Sequence, residues 1–283
     1  MNKQKVLHVG AVQMNPLLGN VASNIMHHQE WIEQAQAEGL ELLVFPELSL
    51  TGYGLKTAVP QVAMEADDER LHALAAAAGD MQVIIGFVEE ASPGEYCNAM
   101  AMLQHGEVVS VYRKMILPTY GGLEEGKWFS PGRRLVCSEV QPGWRSSSLI
   151  CEDLWNAGVV HCAMMQRPEV LCASVNSASG IVSTEFSNED GWPLNLKFYA
   201  HLYGTPVIMA NRYGPEGESL FWGGTSIYGP RGELLALAEP GEQLIRAELC
   251  RDAIAAARFD HPTHRDANTP LIIELLRQQQ GIS

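Results

Sequence analysis

No apolar run of about 18 uninterrupted residues occurs in this chain, so a membrane-spanning helix is not expected. No two cysteines stand at CxxC spacing, which removes the commonest structural zinc framework. A Gly-x-Gly-x-x-Gly turn is missing, as is a strict βαβ rhythm, and both absences argue against a dinucleotide-binding fold. There is no internal repeat and no linker of low complexity. Positive charge is scarce: 19 Lys and Arg stand against 33 Asp and Glu, for a formal charge of -14. Such a polyanion is repelled by nucleic acid and anionic lipid, and no run of Lys or Arg along the chain offsets this. Small-molecule substrates remain open, since a site can hold its own local charge.

What is present is an ordinary globular composition. Of the 283 residues, 46% are hydrophobic and 18% charged, enough for a sizeable core. Six cysteines could form three disulfides, but the chain is long, has no dense cysteine framework and no secretory leader before the strand-like run from Val6. Reduced thiols and a cytoplasmic location are the expectation.

Hydrophobic patterning predicts mixed elements. Strands are expected at Val6–Met14, Leu40–Phe45, Met81–Glu89, Asn98–Leu103, Glu107–Arg113, Leu135–Cys137, Ser146–Ile150 and Val170–Val175. Further strands are expected at Pro206–Ala210, Thr225–Tyr228, Leu234–Leu237 and Gln243–Glu248. Helices are expected from Asn20 or Asn24 to about Glu38, and at Asp67–Ala78, Glu152–Gln166 and Glu185–Tyr203, the last interrupted by Gly191 and Pro193. Cys250–Arg258 and Pro270–Gln280 complete the set. One α+β or α/β domain over 1–283 with two packed sheets, and 265–283 as a tail, is the simplest organisation.

Three segments place a reactive residue at the end of an apolar strand, where loops commonly build sites. Glu47 follows Leu42-Leu43-Val44-Phe45-Pro46; desolvation there would raise its carboxyl toward general-base range. Lys114 precedes Met115-Ile116-Leu117-Pro118 and can point a fixed positive charge into a pocket. Cys151 closes Ser148-Leu149-Ile150 and is expected to begin a helix, whose N-terminus favours a thiolate. Glu152 and Asp153 suit the first helical turn but oppose the thiolate. Taken singly, each has a plain reading: a turn Glu, a solvated Lys, a buried Cys. That last reading suits Cys97, Cys137, Cys162, Cys172 and Cys250. A Cys–His scheme competes, but none of the nine histidines has neighbours that mark it as a base. His27-His28 reads as a helix face. His261 and His264 lack a third ligand for a metal.

The joint order of these pieces is specific. Phe45-Pro46-Glu47-Leu48, Arg113-Lys114 with Leu117-Pro118, Ile150-Cys151-Glu152-Asp153, Phe129-Ser130-Pro131-Gly132, Gly223-Gly224-Thr225-Ser226 and Gly229-Pro230-Arg231-Gly232-Glu233 follow one another along the chain. On these pieces the sequence resembles the nitrilase superfamily of carbon–nitrogen hydrolases from about residue 5 to 270. The resemblance implies a four-layer αββα sandwich and a Glu47–Lys114–Cys151 triad. It also implies a second glutamate at the site, matching Glu125, with the adjacent Glu124 the weaker match. It further implies hydrolysis of a non-peptide carbon–nitrogen bond through a Cys151 thioester, without metal or organic cofactor, in a homodimer or higher homo-oligomer.

Cys151-Glu152-Asp153-Leu154-Trp155 and Glu124-Glu125-Gly126-Lys127-Trp128-Phe129 are similar to the glutaminase domain of glutamine-dependent NAD synthetases. The chain departs from that pattern in two ways. Ending near residue 283, it is expected to lack the ATP-dependent synthetase domain, and Ser177-Ala178-Ser179-Gly180-Ile181-Val182 offers no Arg for a glutamine α-carboxylate. A small carboxamide is therefore the expected substrate. Nitriles, N-carbamoyl amines and glutamine are the alternatives, and a non-catalytic binding protein on the same scaffold is the alternative of another class. Tyr120, Glu152, Trp155 and Ser177 are candidate substrate contacts; Phe186 is a further aromatic candidate.

Overall fold

The computed structural model describes residues 5–183 and 185–280. Its opening strand β1 (Val6–Gln13) is followed by α1 (Val21–Ala37), where Asn20 caps the helix by accepting from the Ser23 N–H. β2 (Leu42–Val44) leads into a loop holding the single turn α2 (Val59–Val62), then α3 (Glu69–Ala78), capped by Asp68. Three antiparallel neighbours follow: β3 (Gln82–Ser92), β4 (Glu95–Gln104) and β5 (Glu107–Arg113). The second half runs through β6 (Cys137–Gln141), β7 (Trp144–Ile150), α4 (Ala157–Met165), β8 (Val170–Val175), α5 (Asn188–Tyr203) and β9 (Val207–Asn211). β10 (Tyr213–Glu216) and β11 (Ser219–Trp222) form a separate hairpin. β12 (Ser226–Tyr228), β13 (Leu234–Leu237), β14 (Gln243–Cys250), α6 (Arg251–Asp260), α7 (Thr263–Asp266) and α8 (Thr269–Gln280) end the described chain.

Two six-stranded sheets result, ordered β14-β1-β2-β3-β4-β5 and β13-β12-β9-β8-β7-β6. Alternation of side chains along the strands explains the layering. Leu42, Val44, Ile84, Met100 and Met102 belong to the core cluster shared with the second sheet. Their chain neighbours Leu43, Val83, Ile85, Ala99, Ala101 and Leu103 pack instead with Ile32 and Ala35 of α1 and with Leu71, Leu74 and Ala75 of α3. On the far side, Val160, Ala163 and Met164 of α4 and Trp192, Leu196 and Tyr199 of α5 join the core of the second sheet. The order is therefore helices, sheet, sheet, helices, the αββα sandwich expected.

Several details differ from the pattern reading. The helix expected from Glu152 starts at Ala157, because Asn156 accepts from the Gly158 and Val159 N–H groups and caps it there. Residues Cys151–Trp155 form a 3₁₀ turn instead. α5 is continuous: Gly191 still donates to the Ser187 carbonyl at 3.1 Å, and Pro193 removes one bond without ending the helix. β6 starts at Cys137 rather than Leu135, and the β10–β11 hairpin has no strong alternating pattern to announce it. In the expected tail, α8 has no buried residue, while residues 281–283 lie outside the described residues. Among the described residues, no helix is long and apolar enough to cross a membrane.

Candidate active site

Strand ends from both sheets meet at one point. β2 delivers Glu47 through Phe45, whose N–H donates to the Ile84 carbonyl at 2.8 Å. The next residue, Leu48, takes a positive φ of 47°, which turns the chain back over β3. That turn is possible because residue 86 is glycine; a Cβ there would collide with the Leu48 nitrogen and the Pro46 carbonyl. Lys114 follows β5, tied by its N–H to the Asn98 carbonyl at 2.9 Å and by its carbonyl to the Gly132 N–H at 2.7 Å. Cys151 directly follows β7, with a φ of 42°. A non-glycine residue in that region carries backbone strain of the kind that concentrates at functional turns.

Asp153, fully buried, joins the Lys and Cys segments. Its Oδ1 accepts from the Met115 and Ile116 N–H groups at 3.1 and 2.8 Å. Its Oδ2 accepts from the Tyr112 hydroxyl at 2.7 Å and the Ile150 N–H at 3.2 Å. One carboxylate thus holds the residues flanking Lys114 in register with the strand end that bears Cys151.

Lys114 Nζ donates to Glu47 Oε1 and to Glu125 Oε1, both at 2.7 Å, and all three side chains are buried. Glu47 is held at every side. The Asn98 Nδ2 donates to its Oε1 at 2.7 Å, the Asn176 N–H to its Oε2 at 2.9 Å, and the Asn176 Nδ2 to its backbone carbonyl at 2.6 Å. Glu125, at the start of a 3₁₀ turn, also accepts from the Tyr53 hydroxyl at 2.7 Å. Tyr53 in turn is anchored by its N–H to Glu216 of the β10–β11 hairpin at 3.2 Å.

The electrostatics follow from burial. Desolvation is the largest influence on Lys114 and favours its neutral form, but Glu125 and Glu47 outweigh it and raise its pKa well above the usual range. The ammonium is therefore permanent. Burial, followed by the charge on Glu47, pushes the Cys151 thiol well above its ordinary value; Lys114 and the Asn176 N–H oppose that rise without cancelling it. The helix N-terminus expected to favour a thiolate is absent, since α4 starts six residues later, and the resting thiol is protonated. Glu125 is also raised, by burial first, with Lys114 opposing and Glu47 reinforcing.

Cys151 and Glu125 open onto a cavity of about 300 Å³. Tyr120, Glu152, Trp155, Ser177 and Phe186, all candidates from the sequence, line it as well. The Tyr120 hydroxyl donates to Glu152 Oε2 at 2.7 Å, and Trp155 stands edge-on to Phe186 and Trp192 with ring centres 5.6 and 5.2 Å away. Gly191 lets the Trp155 ring lie against α5, where a Cβ would crowd it. Ser177 is buried, its N–H donating to Asn211 Oδ1 at 2.9 Å. None of the described lining residues is Lys, Arg or His. His28, the buried member of the His27-His28 pair, is occupied with the Asn24 carbonyl and Ser49 instead, and burial lowers its pKa to about 3. Among the described residues no cluster of three or more His, Cys, Asp or Glu is arranged to hold a metal.

Tyr53, Asn98 and Asn176 were not singled out from the sequence, and Asp153 was read there only as a first-turn carboxylate, not as the link between the Lys114 and Cys151 segments. Asn98 lies within β4 and Asn176 just past β8, both among apolar neighbours, a weak signal that a buried amide there has a polar partner. Tyr53 had none, because its partner comes from a distant loop.

Comparison with known proteins fits this geometry. The family profile described as carbon-nitrogen hydrolase matches residues 8–259. Glutamine-dependent NAD(+) synthetase from Thermotoga maritima is 28% identical over 94% of this chain, which spans only 46% of that protein. N-carbamoylputrescine amidase from Arabidopsis thaliana is 24% identical, covering 91% of each. The crystal structure of a carbon-nitrogen hydrolase from Helicobacter pylori G27 superposes with a TM-score of 0.82 at 24% identity, over 96% of this chain and 98% of that one.

Proposed function

Because the chain belongs to the carbon–nitrogen hydrolase family, whose enzymes act on carbon–nitrogen bonds other than peptide bonds, we propose that it hydrolyses a small carboxamide to a carboxylate and ammonia through a thioester on Cys151. The observation that carries this reading is the buried Lys114 bridging Glu47 and Glu125 beside the cavity that Cys151 opens into.

The steps follow from the charges. A thiol this far above its ordinary pKa cannot wait as a thiolate, so Glu47 takes the proton as sulfur attacks the amide carbon. The carbonyl oxygen becomes an oxyanion, stabilised by Lys114 and by the backbone N–H of Glu152. Glu47 passes the proton to the amide nitrogen, the C–N bond breaks and ammonia leaves. A water then gives a proton to Glu47 and its oxygen to the thioester carbon. Collapse releases the carboxylic acid, and the proton on Glu47 returns to sulfur. Glu125 orients Lys114 throughout, itself held by Tyr53.

The lining bears on the substrate. Five aromatic side chains and two carboxylates, with no cation among the described lining residues, favour a neutral or positively charged amide with a flat or apolar body. A free carboxylate, as on glutamine, would be buried without a partner. An ammonia-release screen over carboxamides, nitriles, N-carbamoyl amines and glutamine tests it, with Cys151→Ala as control. Release from neutral carboxamides that stops in the variant is the expected result; activity surviving in the variant rules out the mechanism. Exposed Leu194 and Phe198 on α5 and Leu275 and Leu276 on α8 are suited to a homodimer contact, which sedimentation would read as twice the chain mass.

A further inference from the structure

No run of basic residues exists along the chain, yet folding gathers one in space. Arg167 lies in the turn after α4, and Arg258, Phe259, Pro262, His264 and Arg265 come from α6, α7 and the turn between them. Together these six line a cavity of about 260 Å³ on the sandwich. Gly204 makes the approach possible: it ends α5 with a φ of 55°, and a Cβ there would crowd the Arg258 backbone and side chain.

The positive charge at this cavity is poorly balanced. Glu169 is shared with Arg145 at 3.6 Å, and Arg265 pairs with Asp266 at 2.7 Å. Among the described residues Arg258 has no paired carboxylate: one terminal nitrogen serves the Pro168 carbonyl and the Thr205 hydroxyl, at 2.5 and 2.7 Å. Its Nε is buried and has no hydrogen-bond partner among the described residues. The Arg167 guanidinium makes no hydrogen bond or ion pair among the described residues; only its backbone is used, the N–H by the Met164 carbonyl and the carbonyl by Arg145. A guanidinium carries five N–H donors in a planar fork, and leaving a buried one idle is costly. The arginines also repel one another. Burial first, and then Arg167, Arg145 and Arg251 against Glu169, lower the Arg258 pKa. The α5 carbonyls that would resist an anion here are already taken. Thr263 donates to Leu202 at 2.5 Å, and His264 faces the Tyr203 carbonyl at 3.1 Å.

We propose that this cavity, between the Arg167 turn and the α6–α7 corner, binds a phosphate group through the guanidinium groups of Arg167 and Arg258. Arginine forks match tetrahedral oxyanions in two-bond geometry, and the volume admits either free phosphate or the phosphate end of a monoester. Phe259 offers an exposed ring beside it for a flat ester group. The site is separate from the Cys151 cavity and shares no lining residue with it.

The test is thermal unfolding of the full chain in chloride or phosphate at matched ionic strength, with Arg167→Gln and Arg167→Glu alongside. Arg167 is exposed and holds nothing by its side chain, so both variants fold. Two charge-assisted contacts give a dissociation constant of about 1 mM, so 10 mM phosphate raises Tm by about 3 °C. Arg167→Gln abolishes that rise, and Arg167→Glu abolishes it while raising Tm in chloride by relieving the repulsion. A larger shift with phenyl phosphate than with inorganic phosphate identifies the monoester; equal shifts identify the free ion. An equal phosphate shift in Arg167→Gln, or none in the parent chain, overturns the site.

Discussion

Replacing Lys114 by Met removes one ammonium and leaves two buried carboxylates, Glu47 and Glu125, facing each other. Breaking a buried pair by deleting one partner costs about 3–5 kcal/mol, because the remaining charge is stranded. Here one cation serves two carboxylates, so the upper part of that range applies. For a chain of this size each kcal/mol moves Tm by about 2–4 °C, which gives a fall of about 10 °C or more near neutral pH. The sign of the pH dependence is fixed by Glu125. Its pKa is raised in the folded chain, and Lys114 is the main force opposing the rise. Without Lys114 the folded pKa climbs further above the unfolded one. A carboxyl shifted upward destabilises the fold above its folded pKa, and the penalty fades as pH falls through that value toward the unfolded pKa. The Lys114→Met variant is therefore weakest relative to the parent at pH 7–8 and approaches it in mild acid. Adding Glu125→Gln recovers part of the stability, since only one stranded carboxylate remains, but it recovers no turnover. Loss of the oxyanion partner alone lowers kcat by about 10²–10³-fold. Melting curves across pH, with ammonia release on the same samples, read both effects. A variant as stable as the parent at pH 8, or one that keeps its turnover, refutes the reasoning.

Four further outcomes are expected. Asp153→Asn places an NH₂ where N–H donors converge, so it destabilises by about 3 kcal/mol in chemical denaturation and slows turnover with little change in KM. Asn98→Ala frees Glu47 and leaves a small cavity; turnover falls by about 10–100-fold while the fold survives, as circular dichroism would confirm. Because burial and Glu47 raise the Cys151 thiol, its alkylation by iodoacetamide shows no inflection between pH 5 and 9 and rises only in more alkaline solution. A plateau at neutral pH would contradict that. Gly86→Ala drives a methyl into the Glu47–Leu48 turn, costing about 3 kcal/mol and most of the activity, readable by urea unfolding and ammonia release.

The layered fold was legible because strand periodicity is local. Leu42 to Phe45 and Val83 to Phe87 announce buried strands by composition alone, and their alternation sets which face meets which layer. Glu47, Lys114 and Cys151 were legible as candidates because each ends such a strand. The helix start was misplaced because Asn156, five residues past the cysteine, caps better than Ile150, which has no side-chain acceptor. The partners Tyr53, Asn98 and Asn176 were hidden for a different reason. Their roles come from contacts between segments 27 to 129 residues apart, which no local pattern encodes. The arginine cavity was hidden in the same way, since its members lie on either side of a 91-residue interval from 167 to 258.

The most direct measurement is mass spectrometry of the enzyme quenched in acid during turnover of a neutral carboxamide. The account predicts the mass of the acyl group on the peptide that contains Cys151, appearing together with ammonia and absent in Cys151→Ala. Ammonia release with no acyl group on that peptide, or with one on another residue, would contradict it.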